Sequence, residues 1–90
     1  MKEELIKDIL DYFNISIEQF NSNSRRENIV MARYVYIYLQ RLKGRKIMEL
    51  SRGLGIPHST IGNAIKKIEN EIDTNDEINE FVTKLYKKYR

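Results

Sequence analysis

Apolar residues recur every three or four positions along most of this chain, which is the spacing of amphipathic helices. The pattern predicts a first helix over residues 2–13. Ser16, followed by Gln19, has the form of a capping box and predicts a short second helix that ends within residues 21–24. A loop rich in asparagine and serine follows that helix.

The longest apolar run, residues 26–42, predicts a central helix that is contacted from several sides. Its main stripe is Ile29, Ala32, Val35, Leu39 and Leu42. Strand-like alternation occurs only at residues 34–38, and the length of the surrounding run favours a helix. The tyrosines at positions 34, 36 and 38 are therefore interpreted as core residues, not as a stacking platform for single-stranded nucleic acid.

Three further helices complete the predicted fold. A short helix runs from about Lys46 to Gly53 after a glycine stop at residues 43–45. The next begins near His58, and the last follows a capping segment at residues 73–76. The prediction is a single all-α domain over residues 1–90, with about six helices and a long central one.

Residues 46–69 have the pattern of a helix-turn-helix, in which a short turn joins two helices and the second presents small polar side chains. Leu50 and Leu54 are expected to fill the inner side of the first helix, and the small Ser51 permits close approach of the second. Gly55 supplies a turn position that can be left-handed. The alternative is an ordinary helical hairpin, which does not require a short polar face.

His58, Ser59 and Thr60 lie at the predicted start of the second helix. Unpaired amides and the helix dipole favour phosphate there, and side chains at this point reach base edges in the major groove. The competing interpretation is N-capping of the helix by His58 or Ser59. The two roles are compatible at adjacent positions.

The charges are concentrated in the middle of the chain. The net charge is +3, but residues 25–67 hold ten basic and two acidic residues, a balance of +8. Such a block is typical of polyanion binding, and the alternative is a solvated basic surface.

The composition gives little support for a catalytic, nucleotide-binding or metal-binding site. The chain has no cysteine and one histidine, and it lacks a phosphate-binding loop sequence and any carboxylate spacing typical of a metal or acid–base site. No apolar run approaches the roughly 20 residues that cross a bilayer. We therefore predict a cytoplasmic protein that is not an enzyme and uses no cofactor or metal.

Several segments carry a resemblance to a known family. The stretch ILDYFNI (residues 9–15) is similar to a family opening V-A-x-Y-Y-N-I, residues 25–33 to R-S-x-S-V-A-x-P-R-Q, and residues 47–50 to L-P-E-I-G. The stretch HSTI (residues 58–61), with Lys67 and Ile68 further on, is similar to D-H-T-T-V…K-I. In this order and spacing, residues 9–68 resemble the C-terminal DNA-binding domain of the bacterial replication initiator DnaA.

The resemblance implies a role for each matching position. Arg25 would enter the minor groove, Arg33 would support a phosphate or base contact, His58 and Ser59 would read the major groove, and Thr60 would bind phosphate. Without the resemblance, the two arginines are equally well explained as solvated surface charges. The predicted DNA-contacting residues are Arg25, Arg26, Arg33, Lys46, His58, Ser59, Thr60, Asn63, Lys66 and Lys67.

The chain also departs from the family pattern. Ile56 and Pro57 replace an arginine and an acidic base-reading residue in a turn that is one residue shorter, Glu27 replaces a basic residue, and Tyr34 replaces a glutamine. Proline starts a helix well, but it cannot accept a hydrogen bond from cytosine. These differences argue against recognition of the family's own DNA site.

Three functions fit these observations. The first is DnaA-like binding of double-stranded DNA in replication initiation or its control, with replication proteins as further candidate partners. The second is a helix-turn-helix transcription regulator that dimerises on paired half-sites. The third is a protein-binding module that has lost DNA contact. The +8 central block argues against the third function.

Overall fold

The structure is a computed structural model that describes residues 2–90, and this part of the chain contains six helices and no strand. The helices are α1 (Lys2–Phe13), α2 (Ile17–Phe20), α3 (Glu27–Leu42), α4 (Ile47–Leu54), α5 (His58–Thr74) and α6 (Asp76–Tyr89). The all-α prediction with six helices is confirmed. Residues 34–38 lie within α3, so the helical interpretation of their alternation is confirmed as well.

Local capping signals set most helix ends. The Ser16 hydroxyl accepts the amide of Gln19 at 3.1 Å, and the Gln19 side chain accepts the amide of Ser16 at 2.8 Å, which completes the predicted capping box. Gly44, at φ 94°, ends α3 in the left-handed region. The Asn75 side chain accepts the amides of Glu77 and Ile78 and starts α6.

Helix α3 is the centre of the fold and contacts each of the other five helices. One side of it packs in a main hydrophobic core with residues of α1, α5 and α6, among them Ile9, Ile68 and Leu85. Tyr36 is buried there and meets Phe20 edge-on, with ring centroids 6.0 Å apart. The interpretation of this tyrosine as a core residue is confirmed, and Tyr34 and Tyr38 are partly buried against the same core.

A second, smaller cluster holds α4 and α5 against α3. Its buried members, which we call the small cluster, are Ile37, Leu50, Ile61 and Ala64. Ile47, Ile56 and Ile65 pack around it. A fully buried aliphatic side chain contributes about 1.5–3 kcal/mol, so these residues, together with Ile68 in the main core, hold α5 on α3.

Two predicted core positions are exposed instead. Leu42 and Leu54 were expected to face inward, yet 45% and 41% of their surfaces are exposed. Each is the last residue of its helix. The chain turns away at Gly44 and Gly55 immediately afterwards, so no following turn covers either side chain.

Side chains of α1 and α6 contact each other at two places. A single carboxylate oxygen of Asp8 accepts hydrogen bonds from the Lys88 ammonium at 2.9 Å and from the Tyr89 hydroxyl at 2.6 Å. Further along, the rings of Tyr12 and Phe81 stack with centroids 3.8 Å apart. Within residues 2–90, no helix has the length and apolar character to cross a membrane.

Candidate nucleic-acid interface

Helices α4 and α5 are joined by a tight turn at residues 55–57. Gly55 has φ 67°, the left-handed conformation expected from the sequence. Ser51 closes the turn from inside the pair of helices. Its carbonyl accepts the amides of Gly55 and Ile56, and its hydroxyl donates to the Ile56 carbonyl. The small serine thus allows close approach, as predicted, and also satisfies the backbone of the turn.

The first turn of α5 is left without a side-chain cap. The N-cap residue is Pro57, in an extended conformation, and no side chain hydrogen-bonds to the first turn. The competing interpretation, N-capping of the helix by His58 or Ser59, is therefore wrong, because both residues already lie inside the helix. Their side chains are exposed and are free of a capping role. The Thr60 amide donates to the Pro57 carbonyl at 3.1 Å, and the amides before it, at the start of the helix, favour an anion.

The outer face of α5 is polar and basic. Ser59, Asn63 and Lys66 follow one another at intervals of four and three residues, and all are exposed. Lys67 is also exposed, but its ammonium lies 3.6 Å from the Glu71 carboxylate in an ion pair along the helix. The opposite face carries Ile61 and Ala64 into the small cluster, so the polar face is directed away from the protein.

The loop between α2 and α3 is ordered by serine hydroxyls. The Ser22 hydroxyl donates to the Gln19 carbonyl at 2.7 Å and accepts the amide of Ser24 at 3.2 Å. The Ser24 hydroxyl in turn accepts the amide of Arg26 at 3.2 Å. Arg25 and Arg26 end this connected segment, and their side chains are exposed.

Arg33 on α3 is directed back toward the same loop. Its two terminal guanidinium nitrogens donate to the carbonyls of Ser22 and Ser24, each at 2.5 Å. The side chain is only partly exposed, unlike those of Arg25 and Arg26. Arg33 therefore ties the loop to α3.

One open cavity of about 200 Å³ lies between the loop and the turn of the helix-turn-helix. Its lining includes Ser22 and Asn23 of the loop, Arg33 and Ile37 of α3, and Thr60 of α5. The loop and the start of α5 are thus neighbouring walls of a single groove. Among the residues that line this groove, Arg33 is the basic one.

Of the predicted DNA-contacting residues, Arg33 and Thr60 line this groove, and the others lie on the surface outside it. The loop presents Arg25 and Arg26, α3 supplies Arg33, and α5 supplies His58, Ser59, Thr60, Asn63, Lys66 and Lys67. Lys46 is placed differently, at the N-cap of α4 and thus at the far end of that helix from the turn. Its exposed side chain extends the basic surface without lining the groove.

Sequence reasoning missed two features of this surface. The sequence places Ser22 and Ser24 only in a loop, although closely spaced serines often form such local hydroxyl–backbone bonds. Gly62 lies exposed in the middle of α5, between Ser59 and Lys66 on the same face, and a Cβ added there would meet nothing within 4 Å. Packing in the free protein therefore does not require a glycine at this position.

Comparison with known proteins agrees with this architecture. Residues 2–68 match the family described as the bacterial DnaA protein helix-turn-helix. The chain is 39% identical over 75 residues to the chromosomal replication initiator protein DnaA of Kosmotoga olearia, and 32% identical over 88 residues to that of Geotalea daltonii. The matches cover 80% and 96% of this chain but only 17% and 20% of those relatives.

A DnaA protein from a Thermoanaerobacter species is 29% identical over 85 residues, which cover 93% of this chain and 19% of the relative. The chain thus spans about a fifth of the length of the curated relatives it matches. The matched part includes the loop between α2 and α3, both helices α3 and α4, and the first eleven residues of α5, so it contains every residue that lines the groove. The chain therefore belongs to the bacterial DnaA helix-turn-helix family, whose DNA-binding domain is non-catalytic.

Proposed function

We propose that this chain binds double-stranded DNA in a sequence-specific manner and acts in replication initiation or its control. The observation that carries the proposal is that the loop preceding Arg25 and the start of α5 line one groove and are both held on α3. Two contact elements at a fixed separation can enter the adjacent major and minor grooves of one duplex, with the DNA backbone that separates those grooves lying between them.

Helix α5 is the major-groove element in this proposal. His58 and Ser59 reach base edges from the exposed first turn, and Asn63 and Lys66 extend the contact along the same face. Thr60 faces the groove and is placed to donate its hydroxyl to a phosphate. The uncapped amides of the first turn and the helix dipole add to the attraction for that phosphate.

The loop supplies the second contact. Arg25 enters the minor groove, where the negative potential of a narrow groove attracts a guanidinium. Arg26 lies beside it and is also exposed, so it binds the backbone nearby. The net charge of +8 over residues 25–67 makes the affinity strongly dependent on salt.

The residues of the turn set the expected sequence preference. Ile56 is partly buried against the small cluster, and Pro57 offers no side-chain hydrogen bond, so neither reads a base edge by hydrogen bonding. Base readout then depends on His58, Ser59 and Asn63. We expect the preferred site to overlap with a DnaA-type site but to differ at the base pairs opposite the turn.

The test is a fluorescence-anisotropy titration with four probes at two salt concentrations. The probes are a duplex with a DnaA-type site, a duplex selected from a randomised pool by the protein itself, a scrambled duplex and a single strand. Arg25→Ala and His58→Ala are compared with Lys84→Ala, which removes an exposed positive charge from α6. The two interface variants should each weaken binding to the selected duplex by about 1–3 kcal/mol, and the control should leave it nearly unchanged.

Each outcome has a separate meaning. Preference for the selected duplex over the scrambled one supports sequence-specific recognition. Equal, salt-sensitive binding to both duplexes would limit the function to nonspecific DNA binding. A dimer that binds only paired sites would favour a transcription regulator. Absence of binding at low salt would contradict the proposal and favour a protein-binding role.

A further inference from the structure

Arg33 belongs to the basic block of residues 25–67. In the free protein, both terminal nitrogens of its guanidinium already donate hydrogen bonds. They donate to the carbonyls of Ser22 and Ser24, eleven and nine residues earlier in the chain. A planar guanidinium that donates to two acceptors has a fixed orientation. Each of these nitrogens has a second hydrogen, but a guanidinium held by two carbonyls cannot turn or extend toward DNA without releasing the loop.

We propose that Arg33 is a positioning residue that holds the Ser22–Arg26 loop in its DNA-competent shape and acts on DNA only through Arg25 and Arg26. The proposal rests on the function proposed above. It assigns to Arg33 a role in the free protein that can be measured without DNA.

The loop has few other attachments. The serine hydroxyls connect it to itself and to the end of α2, while the Arg33 bonds are the side-chain hydrogen bonds that join it to α3 within residues 2–90. Without them, Arg25 would sample many positions relative to α5. Ordering a segment on binding reduces affinity, so a loop that is ordered beforehand binds more tightly.

Limited proteolysis with trypsin provides the first readout, because the loop contains two cleavage positions, after Arg25 and after Arg26. In Arg33→Lys, which keeps the charge but loses the two-point bond, cleavage in the loop should be at least about tenfold faster, since hydrogen bonds to a charged group are being lost. Circular dichroism and urea unfolding establish that the variant is folded.

Arg41→Lys is the matched control. Arg41 also lies on α3 and also donates to a loop carbonyl, that of Arg45 at 3.2 Å, but its loop follows the helix. This variant should leave cleavage after Arg25 and Arg26 unchanged. Should Arg33→Lys fail to fold, Arg33→Met provides a second route, since it keeps a long unbranched side chain but has no nitrogen to donate to the Ser22 and Ser24 carbonyls.

A double-mutant cycle on the selected duplex provides the second readout. If Arg33 acts through Arg25, Arg33→Lys should weaken binding about tenfold in the unsubstituted protein and much less when Arg25 is already alanine. If Arg33 binds phosphate directly, Arg33→Lys should retain most of the affinity, and its effect should add to that of Arg25→Ala.

Fast cleavage together with a coupled cycle supports the proposal. Unchanged cleavage, or additive effects in a protein that binds DNA, would overturn it and leave the proposed function intact. No binding of the unsubstituted protein to any duplex would overturn the proposed function, and the positioning role toward DNA with it. The cleavage assay then still measures whether Arg33 holds the loop.

Discussion

Ser51 and Ile56 are bonded to each other twice, once in each direction. The amide of Ile56 donates to the Ser51 carbonyl at 3.2 Å, and the Ser51 hydroxyl donates to the Ile56 carbonyl at 2.5 Å. The two residues enclose the turn, so α4 and α5 are joined by backbone bonds as well as by the packing of Leu50 and Ile61.

Replacement of Ser51 by alanine should test this reciprocal pair. The change leaves the partly buried Ile56 carbonyl without its hydroxyl donor, and we expect a loss of about 1–2 kcal/mol in the free energy of unfolding. Urea unfolding followed by circular dichroism measures it. Ser59→Ala is the control, because its exposed hydroxyl makes no hydrogen bond within residues 2–90. Equal stabilities of the two variants would contradict this account of the turn.

Gly55 and Gly53 should respond in opposite directions to alanine. Gly55 lies at φ 67°, where a Cβ is strained, so Gly55→Ala should lower the free energy of unfolding by about 1 kcal/mol. Gly53 lies in α4 with ordinary helical geometry and open space around it, so Gly53→Ala should raise it by about 0.5–1 kcal/mol. Thermal unfolding of both variants gives the comparison, and a stabilised Gly55→Ala would disprove the left-handed turn.

Replacement of Gly62 by alanine should raise stability and weaken DNA binding. Like Gly53 it is an exposed helical glycine with open space where a Cβ would lie, so Gly62→Ala should also stabilise the fold by about 0.5–1 kcal/mol. Because Gly62 lies between Ser59 and Lys66 on the face assigned to the major groove, the added methyl should weaken DNA binding by about tenfold, the scale of one lost base contact.

Gly53→Ala is the matched control for the binding measurement, since it makes the same chemical change on α4. It should leave the affinity unchanged. If both alanine variants bind equally well, the α5 face around Gly62 does not approach the duplex closely.

The Asp8 carboxylate should make stability depend on pH in the acid range. The hydrogen bond from Tyr89, and then that from Lys88, hold the pKa of Asp8 below its ordinary value. Since the folded pKa is the lower one, the contribution of Asp8 is present above about pH 4, the value for an unfolded chain, and it is lost as the pH falls through the folded pKa.

Asp8→Asn should therefore be less stable than the unsubstituted protein at pH 7, by roughly 1 kcal/mol for a partly exposed pair, and the two should converge in strong acid. Urea unfolding over a pH series measures the difference. Asp11→Asn is the control, because the Asp11 side chain is exposed and makes no ion pair within residues 2–90. A difference that persists at the lowest pH would argue against the charge as its cause.

Features that depend on neighbouring residues could be predicted from the sequence. The capping box at Ser16, the left-handed Gly55 and the helical nature of residues 34–38 each follow from side chains within one or two turns. The inner face of α5 also follows from its spacing, because Ile61, Ala64 and Ile68 are all buried.

Features that depend on the meeting of distant segments could not be predicted. The partners of Arg33 are backbone carbonyls of an irregular loop. Every residue type has a backbone carbonyl, so the sequence does not identify these partners. The Asp8 bonds join residues about eighty positions apart. The exposure of Leu42 and Leu54 depends on where the chain turns away after each helix, which the apolar spacing within the helix does not encode.

Helix α3 carries both walls of the groove on consecutive turns. Arg33 holds the loop, and Ile37, one turn later, packs in the small cluster with Ile61 of α5. The distance between the loop and the start of α5, the two elements proposed to contact the minor and major grooves, is therefore set by a single helix. One extra base pair between the two contacted positions moves them about 3.4 Å apart along the duplex. The helix α3 cannot lengthen to match this shift. We expect the binding site to tolerate only one spacing between these two positions. Insertion of a base pair between them should lower the affinity as much as substitution of a contacted base pair does.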